Sequence, residues 1–151
     1  MEISIEETKS RFIEQKGMEY QAEGLPRIAG KIVGLLIIED GPFSFSKLAE
    51  GLQVSRGSIS TNTRLLENIG LIDRISLPGQ RGDFFQLAPR PYRSMLEGIC
   101  ARLDKALANT RQAQEQLPCE LKATQERLAD LARFYRAFLN SSRRVIDTLE
   151  S

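Results

Sequence analysis

Residues 45–85, FSKLAEGLQVSRGSISTNTRLLENIGLIDRISLPGQRGDFF, read as a short helix, a tight turn, a second helix opening at Ser55, a strand, a glycine-rich tip and a returning strand. That order is a helix-turn-helix followed by a wing. The second helix carries most of the information, because its two faces differ in chemistry. Ile59, Leu65, Leu66 and Ile69 recur at helical spacing and make one inward stripe. The other side offers Arg56, Gly57, Ser60, Thr61 and Arg64, flanked by Ser58 and Asn62, with no carboxylate before Glu67. An ordinary solvated helix mixes Glu with Lys. A face of short hydroxyls, amide, glycine and guanidinium instead allows close approach to a polyanion and supplies donors to phosphates and base edges. Ser55 is a good N-cap, so the positive end of the helix dipole points the same way.

Working outward from this stretch, Leu71–Leu77 is read as a strand with Arg74 on its polar side, Pro78-Gly79-Gln80-Arg81-Gly82 as the tip, and Asp83–Leu87 as the return. A hairpin beside a recognition helix puts Gln80 and Arg81 where they can enter an adjoining minor groove. Upstream, Gly51-Leu52-Gln53-Val54 is the turn, and residues 44–51 form the first helix of the pair. Residues 26–39, PRIAGKIVGLLIIE, are apolar nearly all round and are expected at the centre of the core. Gly30 and Gly34 lie on one side, which permits a close helix crossing. Residues 5–22 form a further helix, too polar to be a core element alone, whose apolar side is expected to pack on another helix of this or a partner subunit.

Beyond Pro91 the composition shifts to Leu, Ala, Arg, Gln and Glu. Two long helices, 91–117 and about 119–149, carry apolar residues at heptad-like spacing. On the second these are Leu121, Leu128, Tyr135 and Leu149, with Leu131, Phe138 and Val145 between them. A small winged-helix core offers this seam no mate, so it is expected to form an antiparallel hairpin, a dimer interface, or both. The expected fold is therefore mainly α: a winged helix-turn-helix domain with a small β-hairpin, over 24–90, plus an N-terminal helix, 1–23, and a long-helix arm, 91–151, for dimerisation.

Composition narrows the function. With 41% hydrophobic and 27% charged residues the chain is expected to fold rather than stay disordered. Net charge is only +1, so the distribution matters more than the total. Residues 51–94 carry six basic and three acidic side chains, all six basic ones Arg, whereas residues 1–50 carry six and nine. There is no His, which removes the commonest general base and most zinc sites. Cys100 and Cys119 suggest neither a disulfide framework nor a metal site. No catalytic residue, metal or cofactor is assigned. The absence of a long apolar run and of a leader-like N-terminus points away from a membrane and to the cytoplasm. Phe12, Tyr20, Tyr92, Phe134 and Tyr135 could line a cavity for a cationic small-molecule effector, since aromatic faces attract cations, although packing explains the same residues.

The run GLPRIAGKIVGLLIIEDGPFSFSKLAEGLQVSRGSISTNTRLLENIGLIDRISLPGQRGDFFQL, Gly24–Leu87, resembles the GbsR-like branch of the MarR-type transcriptional regulators. The resemblance rests on Pro-Arg-x-Ala-Gly-x-Ile-x-Gly, Ser-x-Gly-Ser-x-Ser and Pro-Gly-x-Arg. It implies a homodimeric repressor on palindromic double-stranded DNA, with Ser55–Arg64 as the major-groove helix and Gln80-Arg81 as the wing tip. Some members of that branch sense choline-type osmolytes; this chain has no Trp for an aromatic cage. A winged-helix scaffold that binds other proteins without specific DNA binding is the alternative.

Overall fold

The core around the helix-turn-helix stretch is built on one apolar helix. The computed structural model describes residues 2–150, which divide into two units, 2–92 and 93–150. In the first unit α1 (Ile5–Ala22) leads to α2 (Arg27–Ile38), a two-residue strand β1 (Phe43–Ser44), α3 (Phe45–Leu52), α4 (Arg56–Ile69), β2 (Ile72–Ile75) and β3 (Phe84–Leu87). Ala29, Ile32, Val33, Leu35 and Leu36 of α2 are all buried, with Leu48 and Leu52 of α3, Ile59 and Leu66 of α4, and Phe85 of β3. Burial of so many aliphatic side chains supplies the main stabilising force.

The ends of these helices are set locally. Ser44 and Ser55 accept from the backbone N–H groups of Lys47 and Ser58 at 3.2 and 3.1 Å, capping α3 and α4. Between the two helices Gln53 takes a left-handed conformation, φ 54°, and Val54 N–H donates back to Ala49 O at 3.0 Å. Gly70 closes α4, and Leu71 N–H donates to Leu66 O at 3.1 Å. At the wing tip Gln80 N–H donates to Leu77 O at 3.1 Å across Pro78-Gly79, with Gly79 at φ 73°. Proline followed by a positive-φ glycine is a type II turn.

The sheet is antiparallel in the order β1-β3-β2. Phe43 pairs with Phe85, Arg74 with Phe85 and Ile72 with Leu87. The sequence reading has the wing hairpin but not β1, which is too short to show alternation and is created by its partner strand.

Helix α1 lies on α2 within the same unit. Glycines let the two backbones meet: a Cβ on Gly30 would run into Lys16 O and stand 2.8 Å from Tyr20 Cβ, and one on Gly17 would stand 2.7 Å from Lys31 Cγ. Glu14 receives Arg27 Nη2 at 2.9 Å and Lys31 Nζ at 2.7 Å, and Lys9 reaches Glu39 at 2.9 Å. Hydrogen bonds from Lys31 and then Arg27 hold the Glu14 carboxyl below its usual range. These pairs face solvent and are worth little individually. The close approach is the stronger tie.

The second unit is an antiparallel helix pair, α5 (Pro91–Gln116, whose first two residues belong to the first unit) and α6 (Lys122–Leu149). Arg93 reaches Glu150 at 2.6 Å, Asp104 reaches Arg143 at 3.2 Å, and Gln125 Nε2 donates to the carbonyls of Gln114 and Leu117 at 3.0 Å. Cys100, Leu107, Ala132 and Leu139 form its core, with Leu103, Tyr135 and Ile146 packed against it. Cys119 is exposed. Among the described residues no helix is long and apolar enough to cross a membrane.

The α1–α2 crossing yields a stability prediction. Gly30→Ala is expected to lower the unfolding free energy by about 1–3 kcal/mol through overpacking, even though alanine is the better helix former by about 1 kcal/mol. Urea unfolding followed by circular dichroism measures it; a more stable variant would show that the crossing is loose.

Candidate nucleic-acid interface

Helix α4 sets the site because its inner half is fixed and its outer half is not. Ile59 and Leu66 are fully buried against the core, and Leu65 and Ile69 are half-buried. Ser55, Arg56, Gly57, Thr61 and Arg64 are exposed, with Ser58 and Ser60 half-buried at the margins. Asn68, one turn beyond Arg64, is exposed as well. It extends the polar face by one amide that the sequence reading passed over, although its i+4 spacing from Arg64 is the signal. Gln80 and Arg81 stand exposed at the wing tip. Among the described residues Arg56, Arg64 and Arg81 take part in no ion pair. Their donors are open to an anionic partner.

Two residues of the expected DNA-contacting set stand elsewhere. Asn62 is only 5% exposed, turned to the inner face beside Thr63, and its Nδ2 donates to Ser58 O at 2.8 Å. Thr63 and Asn62 together complete the buried face that the apolar pattern alone left incomplete. Arg74 is already engaged: Nε and Nη2 hold the two Glu67 oxygens at 3.1 Å each, and Nη1 holds Asp83 Oδ2 at 3.0 Å. The guanidinium also lies 5.3 Å from the Phe85 ring and 6.0 Å from Phe45. Hydrogen bonding to Glu67 is the largest cause raising its pKa above the ordinary value. A fork-on-fork pair of this kind fixes geometry as well as charge. Arg74 thus joins the end of α4, β2 and the wing, and the carboxylates Glu67 and Asp83 belong to that joint.

The expected dimer residues fall on two sides of α6. Tyr135 and Leu128 are half-buried, Tyr135 packing on the hairpin core, whereas Leu121, Leu131, Phe138, Val145 and Leu149 are 39–48% exposed. Phe134 is 59% exposed, and its ring lies 5.9 Å from Tyr135 and 6.2 Å from Phe138. The heptad reading merged two stripes, because the buried side of the hairpin uses small residues, Ala132 and Ser142, that carry no hydropathy signal.

Of the five aromatics expected to bind an effector, Phe12, Tyr20 and Tyr92 lie in the first unit and Phe134 and Tyr135 in the second. Lys16 Nζ sits 5.6 Å from the Phe12 ring. Burial, then the proximity of Tyr92, pushes the Tyr20 hydroxyl pKa up. A cleft of about 350 Å³ in the first unit contains none of the five; its walls include Glu6, Lys9, Glu14, Lys31, Glu39 and Gln53. It is a polar, charge-paired cleft.

No protein-family model matches the chain. The HTH-type transcriptional regulator MmpR5 of Mycobacterium tuberculosis is 38% identical over 82 residues, 54% of this chain and 50% of that protein. The HTH-type transcriptional repressor OpcR of Bacillus subtilis is 20% identical over 117 residues, 78% of this chain and 63% of that one. The chain thus spans half to just under two thirds of the length of these two relatives, both transcriptional regulators. A crystal structure of a transcriptional regulator superposes with a TM-score of 0.83 at 24% identity, covering 95% of this chain and 98% of the other. The fold is that of a winged helix-turn-helix protein.

The Arg74 joint makes a stability difference between two wing arginines. Arg74→Met is expected to destabilise by on the order of 1 kcal/mol, the scale of a fork-bound, partly exposed pair, whereas Arg81→Met stays within about 0.5 kcal/mol of the parent. Equal denaturation midpoints for the two variants would overturn the joint.

Proposed function

We propose that the chain is a homodimeric, sequence-specific transcriptional regulator of the MarR type, in its GbsR-like branch. In this reading it represses from a palindromic operator in cytoplasmic double-stranded DNA and is relieved by a small-molecule effector. The observation that carries the reading is the unpaired cationic and hydroxylic face of α4 beside a wing whose arginine is equally free. Arg56, Ser60, Thr61 and Arg64 meet base edges and nearby phosphates in the major groove, and Arg81 enters the minor groove. The transcriptional-regulator relatives, one of them a repressor, support the reading.

Dimerisation answers the modest charge excess of one domain. Two copies held about one duplex turn apart, roughly 34 Å, double the phosphate contacts and match a two-fold operator. Leu131, Phe134, Phe138, Val145 and Leu149, exposed along one side of α6, supply an apolar surface for the second copy. Residues 24–90 then read DNA while 1–23 and 91–151 pair the subunits. Aromatic faces suit a cationic effector, and Phe12, Tyr20 and Tyr92 in the first unit and, separately, Phe134 and Tyr135 in the second supply them. The same exposed stripe on α6 favours the second reading, a scaffold that binds other proteins.

Gel shifts with duplexes from upstream of the coding region, at two salt concentrations, separate the readings. Arg64→Ala and Arg81→Ala are each expected to weaken binding about tenfold or more; a residue held on phosphate lowers the salt slope by about one. Unchanged affinity in both variants sinks the interface, and no salt-sensitive complex with the parent favours the scaffold. Phe138→Glu places a charge in the apolar stripe and should convert a dimer to a monomer in sedimentation velocity, while Arg64→Ala stays dimeric. A Phe138→Glu protein that sediments as a dimer would move the interface elsewhere.

A further inference from the structure

The buried face of α4 contains a polar group that the proposed DNA contacts do not use. Asn62 Nδ2 donates to Ser58 O at 2.8 Å, which fixes the orientation of the amide. The remaining Oδ1 is fully buried and meets no hydrogen-bond donor among the described residues. A carbonyl oxygen shielded from water without a donor is destabilising, and a leucine of similar volume would not be.

The helix around it is soft for an independent reason. Thr61 Oγ1 donates to Gly57 O at 3.1 Å, Asn62 to Ser58 O, and Thr63 Oγ1 to Ile59 O at 2.8 Å and Ser60 O at 3.2 Å. Three consecutive side chains thus turn back on carbonyls that the helix ladder also uses, a pattern that bends helices. Between Gly57 and Thr63 every residue except Ile59 is Gly, Ser, Thr or Asn, all weak helix formers. The following segment, Arg64–Ile69, has leucines and a fully buried Leu66. The first two turns of α4 are therefore weak in intrinsic helix propensity and are seated in the core through Ile59 and Thr63.

We infer that Asn62 is a positioning residue that holds the first two turns of α4 in a seat destabilised in the free protein and relaxed on DNA. The inference rests on the DNA-binding reading. Asn62 lies at the edge of the inner face, one turn from half-buried Ser58, so a small rotation of the helix carries its amide to the boundary. There Oδ1 meets the hydrated rim that protein–DNA interfaces have. DNA then favours the rotated seat by the strain it releases.

The test is Asn62→Leu, melted alone and titrated by fluorescence anisotropy with the upstream duplex. The expected result couples two opposite changes: Tm rises by about 2–8 °C, and Kd for DNA increases about five- to tenfold, with slower amide exchange over residues 58–63. A rise in Tm with unchanged or tighter DNA binding makes the orphan oxygen a plain defect and overturns the inference. A fall in Tm means that Oδ1 is satisfied in the free protein and overturns it too. Should Asn62→Leu not fold, Thr63→Val removes a back-bond at constant shape and is expected to shift Tm and Kd upward together; no coupled shift overturns the inference. A parent protein that binds no duplex overturns the DNA-binding reading itself, whereas a parent that binds and variants without the coupled shift overturn only the role of Asn62.

Discussion

The wing and the helix-turn-helix are held together by the burial of one ring. Phe85 is fully buried, meets Phe45 edge-on at 4.9 Å and 84°, and sits on the strand that pairs with both β1 and β2. An edge-to-face aromatic contact adds to the area both rings remove from water. Because Phe45 opens α3 and Phe85 lies in β3, the contact fixes the hairpin to the start of the helix pair. Arg74 covers the ring from outside and reaches Glu67 near the end of α4. Ring and guanidinium together set the angle between α4 and the wing.

The arginines of this region accordingly serve two purposes, and composition cannot separate them. The excess of basic side chains over residues 51–94 suggests a single electropositive surface. In the structure Arg74 is neutralised by Glu67 and Asp83, two of the three acidic residues in that segment, while Arg56, Arg64 and Arg81 remain without an ion pair among the described residues. The carboxylates are spent inside the joint. The exposed face is more cationic than the segment count implies.

What the sequence makes legible follows from how local the signals are. The helix starts at Ser44 and Ser55, the stop at Gly70 and the type II turn at Pro78-Gly79 are each decided by a few neighbouring residues, and they stand where those residues put them. The crossing of α1 on α2 shows in part, as the Gly30 and Gly34 pair on one side and as a helix 5–22 whose apolar side needs a partner; Gly17, which completes the contact, carries no hydropathy signal. Strand β1 shows no signal because two residues have no period. Asn62 and Arg74 were illegible for a different reason. A polar residue on a helix flank or strand reads as exposed, and only tertiary packing decides that one is sealed in and the other is tied to two carboxylates.

Helix α6 carries the same lesson into its apolar residues. A heptad pattern tells how often apolar side chains recur, not how many surfaces they serve. Here Leu139, Tyr135 and Ile146 go to α5 through a seam that Ala132 and Ser142 keep narrow, and Leu131, Phe134, Phe138, Val145 and Leu149 face outward. A hairpin of two helices buries too little to be stable by itself. The outward apolar row, confined to the C-terminal part of α6, is a surface that a second chain would cover in the proposed dimer. In the proposed dimer, one surface on α6 would both stabilise the arm and pair the two subunits.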